Sequence, residues 1–237
     1  MRIISKHTLS AILWTIVLSA CDSGDIVEKQ EIEVGGLTCT LTADFLNTAT
    51  WPVDYSIVIA AFDEGEYPLI SKGISKPALG DSITLTMAGI PEKATEVSIA
   101  LLNKSRKRIT AFHTIKIDED QRRNNFISGG HVTVDLLSYN RIQNQFFSNC
   151  TNCHGASERA AAGLFLTEGK SYNALVGVTS AKDDDYLLVN PGMAEQSYIV
   201  HVLEGKTDKV HYDHTNVSFN SESEDIALLK SWINSLK

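Results

Sequence analysis

Cys150-Thr151-Asn152-Cys153-His154 places two thiols three residues apart and an imidazole directly after the second. Three chemistries use such a set. A C-x-x-C pair can cycle through a disulfide, but that use belongs with a surrounding βαβ pattern, which the flanking sequence lacks. Two thiolates and an imidazole could supply three ligands of a zinc site. Structural zinc sites draw on a second Cys or His pair, and the two other cysteines, Cys21 and Cys39, do not form one. The third chemistry is covalent attachment of a c-type haem. Two thiols at a helix end reach the two vinyl groups on one edge of the porphyrin, and the adjacent imidazole projects over the ring centre to bind iron. The pentapeptide is therefore read as the site of one covalent haem c, held by Cys150 and Cys153 with His154 as proximal ligand.

The elements around it have a helical period. Tyr139, Ile142, Phe146 and Cys150 follow i, i+3, i+7, i+11 along one helix face. Ser171 to Val176 reads as a short helix, and Ala194 to Glu204 as another that ends at Gly205. The last helix is expected from Ser221, where Ser221 and Glu224 match a capping box and Ile226, Leu229, Ile233 and Leu236 line one face. Residues 138–237 are thus expected to form a small all-α domain, short of apolar surface of its own.

Residues 32–137 change period. Leu37, Cys39 and Leu41 alternate with threonines; Val53, Tyr55, Ile57 and Ile59 share a face; so do Ile83, Leu85 and Met87; Val97, Ile99 and Leu101; Ile109, Ala111, Ile115 and Ile117; and Val132, Val134 and Leu136. Turn residues separate the runs, among them Asp63-Glu64-Gly65, Leu79-Gly80-Asp81, Gly89-Ile90-Pro91 and Ser128-Gly129-Gly130. Period-two alternation at this spacing predicts an antiparallel β-sandwich of about seven strands. Cys39 stands alone there as a small apolar residue. Asp118-Glu119-Asp120 reads as a solvated loop, and no catalytic constellation is present in this half. The expected fold class is two-domain: an all-β immunoglobulin- or fibronectin-like sandwich followed by the small all-α haem domain.

At the start of the chain, Arg2 and Lys6 precede an apolar run of 13 residues, Thr8 to Ala20. A membrane-spanning helix needs about 20, so residues 1–20 read as a secretory signal. Leu18-Ser19-Ala20-Cys21 resembles the lipobox of bacterial lipoproteins. That resemblance implies cleavage before Cys21, lipidation of its thiol, and a polar tether over residues 21–31. The mature chain is then expected in the cell envelope, facing the periplasm from either membrane or displayed at the cell surface. Haem attachment in bacteria takes place in that same compartment.

The stretch from Ile142 to Leu236 resembles a small bacterial cytochrome c-like domain over roughly 95 residues. The resemblance rests on His154-Gly155, Gly163-Leu164-Phe165-Leu166, Tyr172-Asn173-Ala174-Leu175, Val189-Asn190-Pro191-Gly192, Ser197-Tyr198-Ile199-Val200, Gly205 and Trp232-Ile233, in that order. Such domains usually supply an axial methionine from a Met-Pro pair before the final helix, and no Met-Pro occurs here. Aligning the terminal helices puts His214 nearest the missing methionine. The resemblance therefore implies His214 as the sixth iron ligand, with His211 and then Met193 as alternatives and His201 as a packing residue.

A net charge of −8 opposes phosphate-backbone binding, so no nucleic-acid partner is expected. No general base, paired nucleophile or phosphate loop accompanies the haem motif. The expected function is electron transfer by a monohaem lipoprotein that is not an enzyme, meeting a redox partner through a basic docking patch. The alternatives are a gas-binding or sensor protein with an open sixth site, and a surface scaffold in which the sandwich carries the binding.

Overall fold

The computed structural model describes residues 36–155, 158–216 and 223–237. The leader, Cys21 and the tether lie outside the described residues. Among the described residues seven strands form two sheets: β1 (Leu37–Leu46), β2 (Ser56–Phe62), β3 (Ile70–Gly73), β4 (Ser82–Ile90), β5 (Glu96–Leu102), β6 (Arg108–Lys116) and β7 (Phe126–Asp135). The three-stranded sheet has the order β4-β1-β7 and the four-stranded sheet β3-β2-β5-β6. All neighbours are antiparallel except β1 and β7, which run parallel from Thr38 opposite Phe126.

Alternation builds the core between the sheets. Cys39, Leu41 and Ala43 of β1 meet Ile57 and Ile59 of β2, Leu85 and Met87 of β4, Val97, Ile99 and Leu101 of β5, and Ile127 and Val134 of β7. β5 is buried on both faces, because Ala100 and Leu102 join Val58, Ala60 and Phe62 in a second apolar cluster. The one carboxylate in β5, Glu96, is neutralised by Arg108 and Lys116. Burial pushes the Cys39 thiol up to about 11.

Local details correct the sequence reading. Ser128-Gly129-Gly130 is a bulge inside β7 rather than a turn: the β1–β7 register shifts between Thr40 and Leu41. A Cβ on Gly129 would stand 2.6 Å from that of Leu41. Val53 is 87% exposed; β2 begins only at Ser56. Asp118 caps a helix, α1 (Glu119–Arg123), through a reciprocal bond with Gln121 rather than sitting in a loop.

After β7 the chain is helical in short pieces. α2 (Tyr139–Arg141) continues into a π turn (Ile142–Phe146), a 3-10 turn (Phe147–Cys150) and α3 (Thr151–His154). α4 (Ser171–Leu175), α5 (Tyr198–Leu203) and α6 (Glu224–Ser235) follow. Between them, isolated bridges tie Val176 to Val189 and Leu187 to both Thr179 and Ser197. The cap of α6 is Ser223, whose hydroxyl accepts from the Ile226 amide; the proposed cap Ser221 lies outside the described residues. Among the described residues no helix is long and apolar enough to cross a membrane.

The expected fold class, a sandwich domain followed by a separate small all-α cytochrome-like domain, is therefore corrected. The protein is mixed α/β, with sheets of three and four strands and short helices, and residues Gly35–Lys237 form one compact unit. The physical reason is visible at Arg141. A linker between domains would be exposed, but Leu136 and Arg141 are fully buried. Arg141 Nη1 donates to the carbonyls of Thr50 (2.9 Å) and Leu136 (3.0 Å), and its Nε to Gln145 Oε1 (2.8 Å). Gln145 Nε2 donates to Asp225 of α6 at 2.7 Å. Glu224 Oε2 accepts the amides of Val53 and Asp54 at 3.0 Å each, and its Oε1 lies 3.8 Å from Arg141 Nη2. One polar network thus joins the β1–β2 connection, the run after β7, and α6.

Candidate functional site

The C-x-x-C-H residues sit at the end of the helical run that leaves β7. Ile142, Phe146 and Phe147 are fully buried. Neighbouring residues of a regular α-helix diverge by about 100°, so two consecutive large side chains fall at opposite edges of one apolar face. The π turn and the 3-10 turn change the winding at Phe146–Phe147. Ser148, Asn149 and Thr151 bond back to the carbonyls of Asn144, Gln145 and Ser148, at 2.7, 3.1 and 2.7 Å. Such back-bonding loosens α-helical geometry, and π turns recur at functional sites.

This winding gives the two thiols different surroundings. Cys150 packs against the helical core beside Tyr139 and Leu164, whereas Cys153 is exposed. Burial, then the neighbouring Cys153, pushes the Cys150 thiol up to about 11.

His154 is held from two sides. Its carbonyl accepts the Leu166 amide at 2.8 Å, and its Nδ1 contacts the Leu164 carbonyl at 3.3 Å. A carbonyl only accepts, so Nδ1 carries the proton and Nε2 keeps its lone pair. The Leu164–Leu166 segment is anchored in turn, since Gln143 Nε2 donates to the Leu166 carbonyl at 3.0 Å. Gln143 Oε1 accepts from Ser171 Oγ, which accepts from Tyr139 OH at 2.6 Å. Gly155 ends α3, and a Cβ there would stand 2.3 Å from the Thr151 carbonyl oxygen.

His214 arrives on a 3-10 turn, His214–Asn216. Asp213 Oδ1 accepts the amide and hydroxyl of Thr215 at 2.9 and 2.6 Å. Those bonds hold the Asp213 carboxyl below the usual range. The turn packs on the end of α5, where Gly205 has φ +67° and any Cβ would lie 2.9 Å from Thr215 Cγ2. His214 Nδ1 donates to the Tyr212 carbonyl at 2.8 Å, so its Nε2 is also left with a lone pair. The ring of Tyr212 stands edge-on to it at 5.2 Å.

The centroids of the His154 and His214 rings are 6.4 Å apart, with planes inclined by 31°. A metal–nitrogen bond is about 2 Å and a ring nitrogen lies about 1.2 Å from its centroid, so two imidazoles on opposite sides of one metal, each with its nitrogen aimed at it, would stand about 6.4 Å apart. Among the described residues no group of three or more His, Cys, Asp or Glu side chains converges on one point. Two imidazoles suffice for a metal that brings four nitrogens of its own, which is the donor set of a porphyrin.

The other expected candidates are placed differently. His211 is exposed. Met193 is 49% exposed and its sulfur takes a contact from Asn190 Nδ2 at 3.6 Å. His201 spends its Nε2 proton on the Glu195 carbonyl at 2.8 Å and packs edge-on against Tyr186. The supporting groups Gln143, Ser171 and the carbonyls of Leu164 and Tyr212 were not foreseen. Backbone acceptors carry no side-chain signal, and Gln143, although it shares the face of Tyr139 at i+4, is polar and does not read as a buried residue. Comparison with protein-family models, curated proteins and solved structures gives no match for this chain.

Proposed function

We propose that this protein is an electron carrier of the cell envelope, with one haem c bound covalently through Cys150 and Cys153 and ligated by His154 and His214. The observation that carries the reading is the pair of imidazoles at 6.4 Å beside the two thiols. Each ring keeps its Nε2 free because Nδ1 is spent on a backbone carbonyl. Such second-layer bonds fix the tautomer and raise the basicity of the ligating nitrogen. The reading needs no separate helical domain; the sheets and helices of one compact unit supply the frame.

When bound, the haem supplies a one-electron ferric/ferrous couple. The chain's own residues do the rest. The two cysteines fix the ring covalently, so it cannot dissociate. His154 and His214 supply two nitrogen donors, which lower the potential relative to a His/Met pair. Phe146, Phe147, Leu166 and Trp232 keep water from the helical core behind Cys150. Lipidation of Cys21 tethers the chain to a membrane, and the net charge of −8 favours a redox partner with a basic docking patch.

An absorption spectrum of full-length protein expressed with haem-attachment machinery tests this. The expected result is a low-spin spectrum in both oxidation states, without the far-red band of methionine-to-iron charge transfer. A haem stain on a denaturing gel is expected to vanish in Cys150→Ala/Cys153→Ala. A colourless wild-type product with both thiols open to alkylation removes the reading.

A further inference from the structure

Gln143 is buried, at 5% exposure, with a bond at each end of its side-chain amide. Burying an amide is costly unless both polar ends are matched, and leucine or methionine fills a similar volume without that cost. What the amide adds is direction. The Leu166 carbonyl only accepts, so the group facing it at 3.0 Å is Nε2, and Oε1 faces Ser171. Ser171, fully buried, must then donate to Oε1, and Tyr139 OH must donate to Ser171 Oγ at 2.6 Å. Every proton from Tyr139 to Leu166 has one place.

These bonds end on a strap beside His154. Leu164 is extended (φ −94°, ψ 113°). In extended backbone, the carbonyl of one residue and the amide two residues on face the same side. Both are used on His154: the Leu164 carbonyl lies 3.3 Å from Nδ1, and the Leu166 amide donates to the His154 carbonyl at 2.8 Å. The strap is entered through Ala162 (φ +54°) and Gly163 (φ +69°). The left-handed region is unfavourable for a residue with a Cβ. Local backbone preference therefore does not hold the strap in place, and the bonds at Leu166 do.

We infer that Gln143 is the positioning residue of His154: oriented by Ser171 and Tyr139, it holds the Leu164–Leu166 strap and so fixes the Nδ1–H tautomer that leaves Nε2 open to a metal. The tautomer stands independently of the electron-carrier reading; its effect on a haem potential rests on that reading. Long-range proton–nitrogen NMR of the histidine rings in the haem-free full-length chain tests the first. The His154 ratio of Nδ1–H to Nε2–H is expected to fall about tenfold in Gln143→Leu, the effect of one hydrogen bond of about 1.4 kcal/mol. His214, protonated on Nδ1, and His201, protonated on Nε2 against the Glu195 carbonyl, are expected to stay as they are. Ser171→Ala is the second variant should Gln143→Leu unfold; it lets the amide turn over, and a smaller change in the same direction is expected. In the haem-loaded protein, Gln143→Leu is expected to raise the potential by up to about 59 mV, tenfold in a one-electron equilibrium. A weaker bond at Nδ1 makes Nε2 a poorer donor. An unchanged His154 tautomer in a folded variant overturns the proposal, and so does a change shared by all three rings in both variants. A wild type that takes up no haem removes the electron-carrier reading, and the tautomer ratio still decides the role of Gln143.

Discussion

At the scale of single residues, the candidate site depends on where protons sit. Both imidazoles give their Nδ1 proton to a carbonyl, and that choice turns two ordinary histidines into a matched pair of donors. Replacing His214 by Ala removes one donor and leaves Cys150, Cys153 and His154 in place. The expected outcome is a coloured protein that binds carbon monoxide in the time of mixing, where the wild type must first release His214. Each 1.4 kcal/mol with which the turn holds that ring corresponds to about a tenfold difference in rate. Stopped-flow absorbance of the two reduced proteins measures it; equal fast rates would remove His214 from the iron. The thiols make a second prediction. Only the thiolate is alkylated. At pH 9 an unperturbed thiol with a pKa of 9.0 is half ionised, whereas the Cys150 thiol, held near 11 by burial, is about one part in a hundred ionised. Its folded pKa is raised, so the stability gained by keeping it neutral is present below pH 9 and lost as pH rises through about 11. In haem-free full-length protein at pH 9, Cys150 is expected to react with iodoacetamide many-fold more slowly when folded than in urea. Mass spectrometry of the labelled peptide reads the ratio, and equal rates would contradict the burial of Cys150.

At the scale of elements, the buried Arg141 network decides whether the helical pieces have a frame. The short helices α2, α3, α4 and α5 are too brief to stand alone in water. They are held by packing on α6 and by the polar bonds that run from Arg141 to the β1–β2 connection. Burial pulls the guanidinium down to about 10, still charged at neutral pH. Breaking a buried pair by removing one partner typically costs about 3–5 kcal/mol, because the other charge stays uncompensated. Glu224→Ala also frees the amides of Val53 and Asp54. Urea unfolding of this variant is expected to show a loss in that range with one cooperative transition. Two separate transitions, with the sheet part unaffected, would mean that the helical part is an independent domain after all. This network also explains what sequence periodicity missed. The apolar faces of Tyr139–Cys150 and of α6 were legible, as were most of the strands, because amphipathic spacing records burial against something. It does not record against what. The side chains that merge the two halves are Arg141, Gln145, Glu224 and Asp225, polar residues that read as solvated in any pattern of period 3.6. Cys150, Cys153 and His154 stood out as candidates for the opposite reason, since their spacing is itself the requirement of the chemistry proposed for them.

At the scale of the whole molecule, charge would govern how the proposed redox centre is met. With 21 Lys and Arg against 29 Asp and Glu, the protein repels anions and attracts cations at long range. Two of these carboxylates, Asp208 and Asp213, stand within six residues of His214 in sequence. Screening sets a test that needs no knowledge of the natural partner. The Debye length falls from about 30 Å at 0.01 M to about 10 Å at 0.1 M salt. The rate of electron exchange with hexaammineruthenium, a cation, is expected to fall over that range, while the rate with ferrocyanide or ferricyanide, both anions, rises. Stopped-flow measurement of both reagents at matched driving force separates charge from chemistry. Opposite slopes support an acidic approach to the haem and a basic patch on its partner. If both rates were independent of salt, or if the anion were the faster reagent at low salt, the surface around the centre would be neutral or basic. The partner would then have to be acidic, against the net balance of the chain.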